Sequence, residues 1–289
     1  MRKAWEMIEP KRLKSASEYE AHIAETEIPR LFKERICDML LAAQDERLTL
    51  PGFSIPAGCM VDFLIDPDLR TANGSFNLRE TVNCPETAFN QRMRASIHAI
   101  ALHEKEQGSD VYIMEQKTHL FSFFQDRYPG IIGSEFLGKS IPLGECDEGG
   151  LRNEDATRLT FDNASFDFIM SFEVLEHIPD YLAAFNEVQR ILRPGGRFYF
   201  TAPFNADIHH HLIRAKMEGD EIHHMIEPEW HGNPVTGKDI LCFQHFGWAI
   251  LDELKACGFN SIEAIAFDQI EYGYFSQDPI LVFRAVTCH

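Results

Sequence analysis

Residues 153–204 read NEDATRLTFDNASFDFIMSFEVLEHIPDYLAAFNEVQRILRPGGRFYFTAPF and contain a strand, a helix and a second strand. The apolar runs at 168–172 and 197–201 are typical of buried strands. Between them, apolar residues recur at helical spacing and predict a helix over 180–192. Asp180 is placed to cap its N-terminus, and the Pro-Gly-Gly triplet that follows ends it. Two strands joined by such a helix are expected to pair in parallel within one sheet.

The same alternation extends in both directions from this unit. Further apolar runs typical of strands lie at 111–114, 131–135, 261–267 and 279–285. Further helical runs lie at 119–127 and 247–257. The pattern predicts an α/β domain over residues 109–289, with a mostly parallel seven-stranded sheet and helices on both faces.

The first 108 residues have a different pattern. Helical periodicity covers about residues 1–48, with a break near Glu27 because Pro29 disturbs a regular helix. A strand is predicted at 60–65 and a helix at 86–106, with turns and loop between them. We expect residues 1–108 to form an N-terminal helical and irregular segment that helps to close the functional site.

Residues 205–246 interrupt the alternation after the fifth strand. Seven of the thirteen histidines lie in this insertion. The insertion follows the carboxyl end of a strand, which is the edge where open α/β sheets bind ligands. Long loops are usually functional or disordered, and the aromatic residues here argue against disorder. The sequence therefore predicts a substrate lid or cap.

The charge of the chain bears on its partners. It carries 45 acidic and 27 basic residues, a formal net charge of −18. Nucleic acid and anionic membrane both attract basic surfaces, so neither is expected as a partner. The apolar runs are shorter than the ~18 residues of a membrane span, and the charged start does not resemble a secretory signal. We expect a cytoplasmic protein that acts on a small-molecule substrate, and we leave its oligomeric state open.

The sequence does not present metal ligands at familiar spacing. Its seven cysteines include no CxxC pair, and we expect them to be reduced and mostly buried. The histidines at 209–211 and 223–224 are neighbours that face different directions. No metal is therefore predicted.

Several short motifs follow one another in and around the quoted stretch. They are Asp155-Ala156, LTF at 159–161, SFDFI at 165–169, VLEHI at 174–178 and LRPGGRFYFTAP at 192–203. As a set they resemble the C-terminal half of the class I S-adenosylmethionine-dependent methyltransferase domain, in its type 11 branch. The resemblance covers about 110–204 well and 247–286 loosely. It implies a Rossmann-like fold, S-adenosylmethionine as cofactor and S-adenosylhomocysteine as product.

A nucleoside cofactor laid across strand ends needs polar partners for its ribose and adenine. Glu135 ends the second strand, where its carboxylate can accept hydrogen bonds from both ribose hydroxyls, and Phe136 can pack against adenine. Asp155 follows the third strand and can accept from the adenine amino group, while the Ala156 N–H donates to a ring nitrogen. An acid at a strand end is also often a solvated loop residue or a helix cap, and Phe136 can equally belong to the core.

Phe172 and Glu173 end the fourth strand. In the family that this chain resembles, the corresponding segment passes the sulfonium and the amino-acid tail of the cofactor. The resemblance therefore implies that both residues contribute to cofactor binding.

The turn after the first strand, EQKTH at 115–119, contains no glycine. The family's first motif, acid-x-Gly-x-Gly-x-Gly, retains only its acid, as Glu115. In one interpretation an altered turn binds the methionine carboxylate and amine through Glu115, Gln116 and Thr118. In a second, the cofactor site is degenerate and the protein is a non-catalytic binding or scaffold protein. In a third, this alignment of the first strand is wrong.

We favour the altered turn because S-adenosylmethionine has no phosphates, so a phosphate-binding nest of N–H groups is not required. The chain is also similar to a subset of bacterial type 11 proteins, through EQKT at 115–118, SEFLG at 134–138 and HFGW at 245–248. Those proteins carry a CPxCxxNxRxR element before the domain. Here the element reads CPETAFNQRMR, and Thr87 replaces the second cysteine, which argues against a metal role.

Methyl transfer from a sulfonium is an in-line displacement that depends mainly on alignment, and it needs a base only for a hydroxyl or a protonated amine. The candidate bases are His177, His231 and His245, together with Glu173 and Glu229. Each histidine can instead be structural, and Glu176 with His177 can simply cap the helix at 180. The PEWHGNP and QHFGW segments suit a polar, stackable acceptor such as a sugar or glycan precursor. We expect O- or N-methylation.

Overall fold

The computed structural model describes residues 8–42, 48–65, 78–104, 108–232, 235 and 237–288. The chain divides into two compact units. Unit 1 consists of Met1–Leu13, Ser17–Glu104 and Ala264–Val282. Unit 2 consists of Lys14–Ala16, Lys105–Glu263 and Phe283–His289. The predicted boundary near residue 108, between an N-terminal segment and the α/β domain, stays a prediction.

The chain begins with a strand and two helices. They are β1 (Lys11–Leu13), α1 (Ala16–Glu25) and α2 (Glu27–Ala42). The helices separate at Thr26, as predicted, and Pro29 lies in the first turn of α2, where a missing N–H removes no helical hydrogen bond. The prediction of helix at β1 is wrong, because β1 pairs antiparallel with Ala264–Ala266 far along the chain.

Unit 1 contains a three-stranded antiparallel sheet with helices beside it. These elements are β2 (Leu48–Ser54), β3 (Cys59–Ile65), α3 (Leu78–Thr81), β4 (Val82–Asn83) and α4 (Gln91–His103). The predicted strand and helix are present as β3 and α4, whereas β2 was missed because Pro51 and Gly52 resemble a turn. A buried cluster lies on this sheet, with Phe63 and Phe275 fully buried in it. The predicted loop at 66–77 lies outside the described residues.

Unit 2 begins with the alternating elements that the sequence predicts. They are β5 (Val111–Ile113), α5 (His119–Arg127), β6 (Ile132–Gly133), β7 (Phe166–Phe172), α6 (Tyr181–Ile191) and β8 (Leu192–Thr201). A 3₁₀ turn, Leu175–His177, lies between β7 and α6. Asp180 caps α6 as predicted, since its Oδ1 accepts a hydrogen bond from the Ala183 N–H at 3.0 Å.

The insertion forms three short antiparallel strand pairs. Its strands are β9 (Leu212–Ile213), β10 (Ala215–Glu218), β11 (Glu221–His224), β12 (Trp230–Gly232), β13 (Asp239–Leu241) and β14 (Gln244–His245). The pairs are β9 with β14, β10 with β11, and β12 with β13. The chain then continues through α7 (Ala249–Ala256), β15 (Phe259–Phe267) and β16 (Ile280–Thr287).

The main sheet has seven strands in the order β1-β15-β16-β8-β7-β5-β6. Strands β6, β5, β7 and β8 are parallel, and β16 is antiparallel to β8. The predicted α/β fold with a mostly parallel seven-stranded sheet is confirmed, although one strand is the unpredicted β1. The third strand expected before Asp155 is represented by a single parallel bridge between Glu135 and Asn153.

The strand order also locates the ligand edge. The chain passes from β5 to β6 on one side and then to β7 on the other, so the direction of winding reverses beside β5. Open α/β sheets bind ligands outside the carboxyl ends of the strands at such a switch point. None of the described helices has the length and apolarity to cross a membrane.

Candidate cofactor and acceptor sites at the carboxyl edge

The turn between β5 and α5 is held by a carboxylate from the next strand. Among the described residues, the non-glycine positions with positive φ are Ala88, Ala164 and Glu173, so the turn at 115–118 uses ordinary backbone conformations. The N–H groups of Gln116 and Lys117 both donate to Oε1 of Glu135, each at 2.8 Å. The turn therefore does not require glycine.

Close packing between this turn and the sheet depends on a glycine in β6. A Cβ on Gly133 would lie 2.6 Å from the ring of Phe121 and 3.0 Å from Cβ of Gln116. Glycine at this place allows the helix and the turn to approach the strand closely.

We expect Gly133→Ala to lower the free energy of unfolding by about 1–3 kcal/mol, because α5 must move away from β6. Gly130→Ala is the matched control, since its Cβ would meet no described atom within 4 Å. Urea unfolding of both variants measures the difference. Equal stabilities would show that the packing against Gly133 does not constrain the turn.

Glu115 connects the first turn to the end of β7. Its side chain is buried, and Oε2 accepts a hydrogen bond from the Phe172 N–H at 3.0 Å. Phe172 is also buried, whereas Glu173 is half-buried and has a left-handed backbone with φ of 59°. Such a conformation is uncommon for a residue with a side chain, and it occurs disproportionately at functional sites.

Gln116 and Thr118 are engaged within the protein. The Gln116 Nε2–H donates to the Gly150 carbonyl at 3.0 Å, and its Oε1 accepts from the Arg152 N–H at 3.0 Å. Thr118 caps α5 by accepting a hydrogen bond from the Phe121 N–H at 3.1 Å. Their predicted contacts with the methionine end of a cofactor stay predictions.

Glu135 and Phe136 lie together at the end of β6. Burial raises the pKa of Glu135, and the two N–H groups that reach its carboxylate oppose this rise. The ring of Phe136 is 64% exposed. An exposed aromatic ring beside a carboxylate at the switch point suits a nucleoside, whose base is flat and whose ribose carries two hydroxyls.

Asp155 organises its own loop. Its Oδ1 accepts hydrogen bonds from the Thr157 N–H at 2.9 Å and from the Thr157 hydroxyl at 2.7 Å. Asp155 and Ala156 are half-buried. They directly follow Asn153, which bridges to Glu135, so the structure brings the predicted adenine and ribose residues to one edge.

Asn153, which the sequence does not single out as a functional residue, is fully buried at this edge. Its Oδ1 accepts from the Leu137 N–H at 2.8 Å, and its Nδ2 donates to the carbonyls of Gly138 and Ile141. It thereby fixes the segment after Glu135. Asparagine is usually exposed, so nothing in its identity or spacing indicates this role.

The insertion is attached to the 3₁₀ turn after β7. The Phe243 N–H donates to the Glu176 carbonyl at 2.8 Å. The Gln244 side chain donates to the carbonyls of Leu175 and Ile178, at 2.9 and 3.1 Å. These bonds fix β14 and the residues before it against the VLEHI segment.

The glycine of the HFGW segment permits a second close approach. A Cβ on Gly247 would lie 2.7, 2.8 and 2.9 Å from the carbonyl oxygens of Ile208, His209 and His210. The Trp248 N–H donates to the Ile208 carbonyl at 3.2 Å. Both ends of the insertion are therefore packed together at the start of α7.

The three histidines predicted as bases converge in one cluster. Nε2 of His231 and Nε2 of His245 each lie 2.9 Å from Oε1 of Glu229. Nε2 of His177 and Nδ1 of His231 each lie 3.6 Å from Oε1 of Glu176. These residues come from the 3₁₀ turn, the segment before β12, β12 and β14. We call Glu176, His177, Glu229, His231 and His245 the histidine–glutamate cluster.

Burial and charge act strongly on this cluster. Burial, together with the nearby charge of Glu173, raises the pKa of Glu176 to about 7 against the opposing effect of His231. The Glu176 carboxylate, followed by Glu229, raises the pKa of His231 to about 9 against the effect of burial. Burial lowers the pKa of His177. Groups with shifted pKa values at a ligand edge are candidates for acid–base or ligand-binding roles.

Comparison with known proteins gives a family match over part of the chain. The model described as "Methyltransferase domain" matches residues 138–200. The demethylmenaquinone methyltransferase of Staphylococcus epidermidis is 35% identical over 71 residues, which cover 23% of this chain and 30% of that protein. The corresponding Staphylococcus aureus protein is 32% identical over the same length. The chain thus spans about a third of the length of the curated relatives that it matches.

Solved structures of two methyltransferases are also similar. The S-adenosylmethionine-dependent methyltransferase of Mesorhizobium loti is 16% identical, covers 68% of this chain and 97% of its own, and has a TM-score of 0.42. The 1,6-didemethyltoxoflavin-N1-methyltransferase of Burkholderia thailandensis is 15% identical, covers 68% and 79%, and has a TM-score of 0.40.

The family match, the motif set and the winding of the sheet all point to the same edge of the sheet as the ligand site. The match covers VLEHI, which lies at the edge where the candidate residues meet, and most of LRPGGRFYFTAP, which forms β8 and ends at that edge. Residues 138–200 therefore match a methyltransferase domain, and the chain has the α/β fold with a central seven-stranded sheet that the resemblance to class I, S-adenosylmethionine-dependent methyltransferases implies.

Proposed function

We propose that this protein transfers a methyl group from S-adenosylmethionine to an oxygen or nitrogen of a small-molecule acceptor. The observation that carries the proposal is that the histidine–glutamate cluster adjoins the carboxyl end of β7. Glu173 links the two, because it directly follows β7 and acts electrostatically on both Glu176 and His177. One edge thus offers a cofactor half and an acceptor half.

In the cofactor half, we assign the ribose to Glu135, the adenine to Phe136, Asp155 and Ala156, and the methionine end to the first turn and Glu173. Acidic side chains line this edge, and S-adenosylmethionine has a cationic sulfonium and ammonium. Opposite charges at a partly buried site attract each other strongly. The charge of the edge therefore favours this cofactor over an anionic nucleotide.

In the acceptor half, one imidazole nitrogen is available to take a proton. His177 donates through Nδ1–H to the Leu241 carbonyl at 2.8 Å, and its lowered pKa keeps it neutral, so its Nε2 carries the lone pair. His231 uses Nε2–H for Glu229, and its raised pKa of about 9 leaves it protonated on both nitrogens at neutral pH. An acceptor hydroxyl or ammonium beside His177 can lose its proton as the methyl group is transferred. Trp230, next to His231, is 53% exposed and offers a face for a sugar ring.

The test measures formation of S-adenosylhomocysteine with panels of sugars, glycan precursors and amines. For an acceptor that supports turnover, we expect His177→Ala to lower kcat by about 100-fold or more, the usual contribution of a general base, with cofactor affinity unchanged. His224→Ala, at an exposed histidine of the insertion, is the control. Wild-type kcat in His177→Ala would remove His177 from the mechanism, and absence of turnover with every class would contradict the assigned acceptor.

A further inference from the structure

The carboxylate of Glu176 is buried without a hydrogen-bond donor. Glu176 is 0% exposed, and neither of its carboxylate oxygens has a hydrogen-bond partner among the described residues. The imidazole nitrogens of His177 and His231 lie 3.6 Å from Oε1, which is longer than a typical N–H···O hydrogen bond. A buried carboxylate needs a compensating partner, and a cation is the partner of greatest effect.

The inward nitrogens of the two histidines, Nε2 of His177 and Nδ1 of His231, face this carboxylate. The outer N–H of His177 is held by the Leu241 carbonyl, and the outer N–H of His231 is held by the Glu229 carboxylate. Histidines that bind metals almost always donate their other N–H to a carbonyl or a carboxylate in this way. Both supporting hydrogen bonds come from the insertion.

Two of the three distances between the inward atoms match those of a metal site. Tetrahedral zinc with bonds of 2.0–2.2 Å places its ligand atoms about 3.3–3.6 Å apart. Oε1 of Glu176 lies 3.6 Å from both nitrogens, and all three atoms lie within 4.8 Å of one another. Two histidines and one glutamate form a donor set typical of catalytic zinc, in which the fourth position takes water or substrate.

A neighbouring trio of potential ligands fits less well. Glu229, Cys242 and His245 also lie within 4.8 Å of one another. The His245 Nε2–H and the Glu229 carboxylate already form a hydrogen bond, and the Cys242 thiol donates to the Gln244 carbonyl at 3.5 Å. This trio supports the first site through Glu229 and does not form an equivalent one.

We propose that Glu176, His177 and His231 bind one divalent metal ion of the zinc type. The proposed site departs from the sequence prediction of no metal, because Glu176, His177 and His231 do not stand at familiar ligand spacing along the chain. The part of the inference that concerns substrate rests on the proposed methyl transfer. When the metal is bound, His177 is its ligand and no longer the base; the metal binds the oxygen of a hydroxyl acceptor and lowers its pKa, so that the alkoxide attacks the methyl group. The proton leaves to solvent, and the sulfonium departs as the neutral thioether.

Calorimetric titration of chelator-treated protein with zinc chloride tests the site without requiring activity. We expect one zinc ion per chain and loss of that event in His177→Ala, His231→Ala and Glu176→Gln. Glu229→Gln, which removes the charge behind His231, is expected to weaken zinc binding by about 10–100-fold. His223→Ala, at a histidine that is not part of the site, is the control and is expected to bind zinc normally. Circular dichroism confirms that each variant is folded.

Cobalt substitution provides a second measurement that reports geometry. Cobalt in a tetrahedral site with two nitrogens and one carboxylate is expected to absorb visible light strongly, and the absorption is expected to vanish in His231→Ala. Stoichiometric zinc binding that survives in all three ligand variants, or its absence in the wild type, would overturn the inference. Titration of the same samples with S-adenosylhomocysteine separates the outcomes, because cofactor binding without zinc binding would remove the metal and leave the proposed methyl transfer standing.

Discussion

Glu135→Ala is expected to weaken the binding of S-adenosylmethionine by about 100-fold or more, because hydrogen bonds to a charged group are worth about 1.5–3 kcal/mol each. The carboxylate has two tasks in our account. Its Oε1 holds the N–H groups of Gln116 and Lys117, and the remaining capacity of the carboxylate accepts the ribose hydroxyls. Alanine removes both the anchor of the turn and the ribose partner.

Two further variants separate these tasks. Glu135→Gln keeps an oxygen that can accept from the turn but loses the charge, so we expect an intermediate affinity. Glu148→Ala, at an exposed acid of the same edge, is expected to bind like the wild type. Calorimetry with S-adenosylhomocysteine measures all three. If folded Glu135→Ala keeps full affinity, the cofactor does not use the end of β6.

Arg94→Met is expected to lower the stability of unit 1 by about 3–5 kcal/mol, since it leaves buried carbonyls without a donor. Arg94 is 1% exposed and donates to the carbonyls of Val82, Phe89 and Gly273, at 2.8, 3.2 and 2.7 Å. Its guanidinium also lies 4.0 Å from the centre of the Phe63 ring. Burial lowers the pKa of Arg94 to about 10, so the side chain stays charged at neutral pH.

Arg12→Met, at an exposed arginine of unit 1, is the control for Arg94→Met and is expected to change stability by less than about 0.5 kcal/mol. Urea unfolding followed by fluorescence and circular dichroism measures both variants. Similar stabilities would show that water or rearranged backbone replaces the guanidinium, and that Arg94 is not central to unit 1.

The CPETAFNQRMR element at residues 84–94, which includes Arg94, has a structural role in unit 1. Asn90 caps α4 by accepting from the Met93 N–H at 2.9 Å, and it donates to Glu80. Arg92 donates to the same Glu80 at 3.1 Å. The polar residues of the element therefore join α4 to the α3 region, and this structural task does not require the second cysteine that Thr87 replaces.

The alternation of strands and helices in unit 2 could be predicted because it follows from local periodicity. Helix α5 and the cap at Asp180 depend on residues within a few positions of each other. Strand β1 could not be predicted, because three residues with one buried side chain become a strand only by pairing with a segment about 250 residues away. Strand β2 was not predicted because Pro51 and Gly52 resemble a turn. Both residues are tolerated in the strand because the other residues of β2 pair with β3.

The site was predictable in its residue types and less so in its contacts. His177, His231 and His245 were selected from the sequence, and the structure brings them together. The burial of Glu176 was not foreseen, because it arises only when the insertion attaches to the 3₁₀ turn. The conformation of the glycine-free first turn could not be predicted either, because the carboxylate that holds the Gln116 N–H comes from Glu135, 19 residues further along the chain.

Calorimetric titration of the wild-type protein with S-adenosylmethionine and S-adenosylhomocysteine tests the central claim most directly. Our account predicts one site per chain with a dissociation constant of about 1 μM, equivalent to about −8 kcal/mol, for at least one of the two. Such binding would show that a turn held by Glu135 serves the cofactor without glycine. No binding of either compound up to millimolar concentration, with or without zinc, would contradict the account and favour a non-catalytic binding or scaffold protein built on this fold.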